Sequence, residues 1–218
     1  MWNPLTKKPE QKNSNSPLNY NSRVHIEHPA AESLFQTNLR YFLNQFYHLD
    51  SPLIILCIGT DRSTGDSLGP LIGTKLKSSR LCSHQNLTIY GTLDEPVHAV
   101  NLQETIDQIN SKYLHPFIIA IDACLGRSES VGYISIKEGP LQPGTGVNKE
   151  LPSIGNIQIM GIVNVGGFME YMVLQNTRLS LVMKMADLIS QCLVKEVQQI
   201  ILPEPAPTCP SILDPVLT

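Results

Sequence analysis

Apolar and polar positions along the chain follow two alternating periods. Over residues 31–48, Phe35, Leu39, Phe42, Leu43 and Phe46 recur at three- and four-residue spacing, which predicts one buried helical face. Residues 53–58, LIILCI, are continuously apolar and predict a short strand buried on both faces. FIIAI at 117–121 predicts another of the same kind. Between these runs the pattern predicts a loop over 59–65, a helix over 67–79 and a strand at 87–91, LTIYG. Leu102, Ile106, Ile109 and Tyr113 then line one face of a predicted helix over 98–113. VGYISI at 131–136 alternates, as an edge or antiparallel strand does, and IQIMGIV at 157–163 predicts a further strand. Leu181, Met185, Leu188 and Cys192 mark a long last helix over roughly 168–195. Buried strands interleaved with amphipathic helices predict an α/β fold. The expected form is a three-layer α/β/α sandwich with a mostly parallel sheet and LIILCI and FIIAI at its centre.

Proline sets the expected boundaries. Of the 16 prolines, four precede residue 30 and five lie at or beyond 203. These ends carry few periodic apolar residues, so the reading is a poorly ordered N-terminal tail at 1–28, one domain at 29–202 and a Pro-rich C-terminal tail at 203–218. The chain has 218 residues, enough to bury a core without structural metal or disulfides. Its net charge is −3 and only 16% of its residues are charged, which argues against a nucleic-acid or anionic-membrane surface. The five cysteines are scattered and form no C-x-x-C pair, as in a reducing compartment. Cys57 and Cys124 sit in or beside apolar runs and read as core residues. Met1 to Ser22 lacks the apolar region of a signal peptide, and no run approaches the ~20 residues of a membrane span. A cytoplasmic protein is expected.

In parallel α/β sheets the site lies beyond the carboxyl ends of the strands. After the first buried run comes Gly59-Thr60-Asp61-Arg62-Ser63-Thr64-Gly65-Asp66-Ser67-Leu68-Gly69-Pro70. Its glycines fit neither G-x4-G-K-[ST] nor G-x-G-x-x-G, so a phosphate-binding loop is a weak reading. Asp66 is placed either to cap the next helix or to act in a cleft. Asp122, opening Asp122-Ala123-Cys124-Leu125-Gly126 after the FIIAI run, is out of place in a core and natural in a cleft. If the two strands are neighbours, the two carboxylates share one crevice. One then holds a proton while the other stays ionised, the arrangement for metal-free amide hydrolysis. With a third ligand the same pair would hold a divalent metal. His98 is the best-placed third group. Cys124 lacks an obvious histidine partner, and no G-x-S-x-G elbow is present. Gly139–Asn148 reads as a loop at the rim of the cleft, and Asn164–Phe168 as either rim or turn.

The strand followed by G-T-D-R-S-T-G-D-S-L-G-P, with I-D-A-C-L-G-R after the third strand, resembles the YyaC family of sporulation proteins. That family is similar to the germination protease of endospore-forming bacteria and, more distantly, to hydrogenase maturation proteases. The resemblance spans about residues 30–200. It implies a phosphorylase/hydrolase-like fold and assigns Asp66 and Asp122 as a catalytic pair, through D-S-L-G-P and I-D-A-C. The P-G-T-G-V-N segment at 143–148 resembles a loop of the germination protease. No histidine stands at a matching place late in the chain, so the resemblance implies a metal-free dyad without cofactor. The expected function is a sporulation-associated protease-like hydrolase acting on a protein or peptide, in the cytoplasm, forespore or spore core included. Asp61, Arg62, Thr64, His98 and Asn148 are the candidate substrate-binding residues. Two alternatives stand beside it: a non-catalytic sporulation protein binding a peptide or protein partner in the same cleft, and a phosphate binder using the amides of 60–67.

Overall fold

The two doubly apolar runs lie side by side at the middle of the sheet. The computed structural model describes residues 23–79, 85–143 and 151–201. Among these, the strands are β1 (Arg23–His25), β2 (Leu53–Cys57), β3 (Leu87–Tyr90), β4 (Phe117–Gly126), β5 (Tyr133–Glu138) and β6 (Ile157–Val165). They form one sheet in the order β1-β5-β6-β4-β2-β3. β3, β2, β4 and β6 are parallel, while β5 runs antiparallel to β6 and β1 antiparallel to β5. The helices are α1 (Ala31–Phe46), α2 (Leu68–Lys77), α3 (Leu102–Lys112), α4 (Glu170–Gln175) and α5 (Leu179–Ile201).

Side chains alternate across a strand, so a strand covered on both faces must be apolar at every position. β2 shows this directly. Leu53, Ile55 and Cys57 enter a core shared with α1, α2 and α5, whereas Ile54, Leu56 and Ile58 enter a second core against α3. The three layers of the α/β/α sandwich follow from that division.

From β2 the chain crosses to β3 on one side, then returns to β4 on the other. The connections leaving β2 and β4 therefore diverge, and the crevice between them is a topological switch point.

Several expectations are corrected. β1 lies inside the stretch assigned to the N-terminal tail. Its three residues pair with Tyr133–Ser135 and bury only Val24, too short a segment to show a period. With β1 on its far side, β5 is antiparallel but not an edge. α3 starts at Leu102 rather than 98, because Asn101 ties down the preceding turn. Its Oδ1 accepts the His98 N–H at 2.8 Å and its Nδ2 donates to the Pro96 carbonyl at 2.9 Å. The predicted last helix is two helices, α4 and α5. The break is at Thr177, which is buried and donates its hydroxyl to the Val173 carbonyl at 3.0 Å while accepting from Asn164 Nδ2 at 3.2 Å. Residues 1–22 and 203–218 lie outside the described residues.

The glycines after β2 have a steric reason. Gly59 has φ of +141°, and a Cβ there would meet the Asp66 carbonyl oxygen at 2.0 Å. That carbonyl accepts the Thr60 N–H at 3.0 Å and closes the loop. Gly69 sets the first turn of α2 against the end of the sheet, with a Cβ position 2.1 Å from the Ile58 carbonyl oxygen. The obstacle is backbone on both sides and cannot swing away. Gly69→Ala should therefore destabilise the protein by about 3 kcal/mol or more, read as a lower urea midpoint.

Candidate active site

At the switch point a cleft of about 520 Å³ lies beyond the ends of β2 and β4. Asp66, Asp122, His98 and Arg62 all line it. β2 and β4 are adjacent, with Cys57 opposite Ile121, so Asp122 is the first β4 residue past the end of β2. Asp66 reaches the same space because the loop folds back. The Arg62 N–H donates to Thr60 Oγ1 at 3.3 Å and the Asp66 N–H to the Ser63 carbonyl at 3.1 Å. Residues 65–67 then form a 3-10 turn that enters α2.

That turn bears on the capping role weighed for Asp66. The helix has no side-chain cap hydrogen bond, so Asp66 does not cap it. Instead its carboxyl is held in the cleft wall. Burial pushes its pKa above the ordinary 3.8, and the charge of His98 draws it partly back. The stability consequence has a definite sign. Below the ordinary value the acid is neutral whether folded or unfolded. As pH rises through the raised folded value, ionising a buried group costs stability. Asp66→Asn, permanently neutral, should raise Tm at pH 7 relative to the wild-type protein. The gain should vanish at pH below 3.8. Thermal melts across pH check this.

Asp122 is buried, with 5% exposure, and its Oδ1 accepts the Ala123 N–H at 2.8 Å. It does not terminate its strand, as the apolar pattern suggested. β4 continues to Gly126 and pairs with β6, with a register shift between Cys124 and Leu125 where β6 carries the extra residue, Val163. The apolar run stops at Ile121 because β2 stops there, so polar groups are tolerated beyond.

His98 sits in the turn fixed by Asn101. The Val100 N–H donates to its Nδ1 at 3.3 Å. Cys124 lines the cleft rather than the core. Its thiol is pushed up to about 11, first by burial and then by the negative charge of Asp122, so it is no nucleophile.

The structure does not bring every predicted residue to the cleft. Asp61 is exposed and Thr64 half-buried, and neither lines it. The tight loop turns Thr60, Arg62, Ser63 and Asp66 inward and Asp61 outward. Thr64 instead uses its carbonyl to accept the Ser67 hydroxyl at 2.7 Å. Asn148 lies outside the described residues, although Gln142, Pro143 and Leu151 on either side of its segment line the cleft.

Sequence reasoning missed the contribution of α4. Glu170, Tyr171 and Leu174 form one wall of the cleft, and Glu170 Oε1 accepts the Gly167 N–H at 3.1 Å. It also missed Ser63, whose Oγ is buried without a hydrogen-bond partner among the described residues. The Asn164–Phe168 stretch, read as rim or turn, was the available signal for α4, since it leads from β6 into this helix.

Among the described residues, no group of three or more His, Cys, Asp and Glu is arranged to hold a metal ion. No described helix is long and apolar enough to cross a membrane.

The fold and cleft can be set beside known proteins. A Bacillus subtilis (strain 168) protein described as uncharacterized protein YyaC is 58% identical over 140 residues, which is 64% of this chain and 67% of that protein. The crystal structure of a NiFe hydrogenase maturation protease, HycI from Thermococcus kodakarensis KOD1, aligns over 72% of this chain and 98% of its own. The TM-score is 0.47 and the identity 14%. The family model described as protein of unknown function (DUF1256) matches residues 23–192, a span that runs from β1 into α5 and takes in every described wall of the cleft. The chain belongs to the DUF1256 family.

Proposed function

We propose that this protein hydrolyses peptide bonds with Asp66 and Asp122 as a metal-free acid–base pair. The observation that carries the reading is the meeting of two carboxylates and His98 in one cleft at the switch point, with Asp66 held above its ordinary pKa. The roles divide by environment. Asp122 accepts a backbone N–H and acts as a negative charge on Cys124, which suits it to take a proton from water. Asp66, whose neutral form is favoured by burial, suits the donor role. The water oxygen bonds to the carbonyl carbon as its proton passes to Asp122. The C–N bond then breaks as Asp66 gives its proton to the leaving amine. His98 lies close enough to tune Asp66 electrostatically, and Arg62 supplies a positive charge at the mouth.

The resemblance to YyaC-type sporulation proteins supports a proteinaceous substrate in the sporulating cell. The test is incubation of the full-length protein with a proteome-derived peptide library, with new termini mapped by mass spectrometry. Recurrent cleavage sites absent from the Asp66→Asn protein support the proposal. Cleavage by both proteins alike, or by neither, rejects it, and the latter favours the cleft as a binding site.

A further inference from the structure

β4 outruns β2, and the overhang lies inside the cleft. In a parallel ladder a residue bonds one neighbour through both its N–H and its C=O, and successive residues alternate sides. The Ile121 carbonyl accepts the Ile58 N–H at 2.7 Å, so Ile121 faces β2. The Gly126 carbonyl accepts the Gly166 N–H at 2.8 Å, so Gly126 faces the β6 side. By that alternation Ala123 and Leu125 face the side where β2 runs lower in the sheet. The β2–β4 ladder ends at Cys57–Ile121, so above that point no described strand pairs with them. The Ala123 N–H is taken by Asp122 Oδ1. By the same alternation the Ala123 carbonyl and both polar groups of the Leu125 backbone point to the side that lacks a strand partner, and both residues line the cleft.

We propose that this open edge takes the substrate as an extended strand, added to β4 at Ala123–Leu125 where β2 leaves off. The inference rests on the peptidase reading for its choice of occupant. The edge itself explains why a polypeptide suits the cleft. Backbone bonds to an exposed strand edge recognise any extended chain, and they do not fit a folded one. They also place a peptide carbonyl beside Asp122, the residue that adjoins the edge. Glu170, Tyr171 and Leu174 of α4 stand across the cleft to receive side chains.

Strand addition depends on the Leu125 N–H and not on the Leu125 side chain. Proline removes that donor and is tolerated where an edge faces open space. The experiment uses the full-length Asp66→Asn protein, so that no probe is consumed. The probe is reduced, carboxymethylated α-lactalbumin as an unfolded chain, with native α-lactalbumin for comparison. Hydrogen exchange at the Leu125 amide should slow with the unfolded probe and not with the folded one. The Leu125→Pro variant should bind the unfolded probe about tenfold more weakly than Leu125→Ala, the effect of one lost hydrogen bond. Unchanged exchange at Leu125, or equal affinity of the two variants, overturns the proposal. Should the proline variant not fold, the exchange result alone decides. Slowed exchange in a protein whose wild-type form cleaves no library peptide overturns the peptidase reading and leaves strand addition standing. Cleavage at the same rate by Leu125→Pro and Leu125→Ala on the wild-type background does the reverse.

Discussion

Asp66→Asn should lower peptide cleavage by a factor of about 10² to 10⁴ while leaving the protein folded. Asn has nearly the shape of Asp, and the structure gives the Asp66 carboxyl no capping hydrogen bond to lose. What the substitution removes is a carboxyl proton that burial makes harder to lose. Asp122→Asn should fall by a similar factor, because an amide cannot accept the proton of the attacking water. The double variant should be barely worse than either single one, since two groups acting in one proton transfer fail together. The stability readout separates this from unfolding. The Asp66 variant should be inactive and yet melt higher at pH 7, a combination that a damaged fold does not produce. An active single variant on the mapped library peptides would end the aspartate mechanism.

Asp66 and Asp122 were legible for one physical reason. Asp122 directly follows an unbroken apolar run and Asp66 lies in the loop that follows another, and the sheet rule places such positions in a cleft. The same logic made the layers readable, because Leu53–Cys57 and Phe117–Ile121 have no polar face to offer water. Where the sequence reading fell short, the cause was tertiary. The extension of β4 to Gly126 is paid by pairing with β6 alone, which leaves no two-sided apolar signature. The break before α5 contains no glycine or proline. It depends on Asn164 of β6 reaching Thr177 and the Val173 carbonyl, contacts between a strand and the helix after it that no local pattern shows. Because α4 was absorbed into one long predicted helix, Glu170 and Tyr171 had no reason to be near Asp66. Asp61 and Thr64 illustrate the converse error. They share a motif with Asp66, but a seven-residue loop closed on Gly59 cannot turn every side chain inward.

Replacing Arg40 with leucine should destabilise the fold by about 3 kcal/mol. Glu196 of α5 has only 1% exposure, and a carboxylate so placed must be paired. Arg40 of α1 supplies the pair as a fork. Its Nε donates to Oε2 at 2.9 Å and its Nη2 to Oε1 at 2.8 Å. Gln36, one turn earlier, adds a bond from Nε2 to Oε1 at 2.7 Å. These contacts join α1 to α5 over the same face of the sheet. Removing Arg40 strands the carboxylate with one neutral donor, and that desolvated charge is the source of the cost. The guanidinium itself is half-exposed and loses little by its own removal. The asymmetry gives the test its form. Arg40→Leu alone should lower the urea midpoint strongly, whereas Arg40→Leu with Glu196→Leu should recover most of the loss, since the second change removes the orphaned charge. A double variant that remains as unstable as the single one would mean that Arg40 acts through its packed stem and not through Glu196.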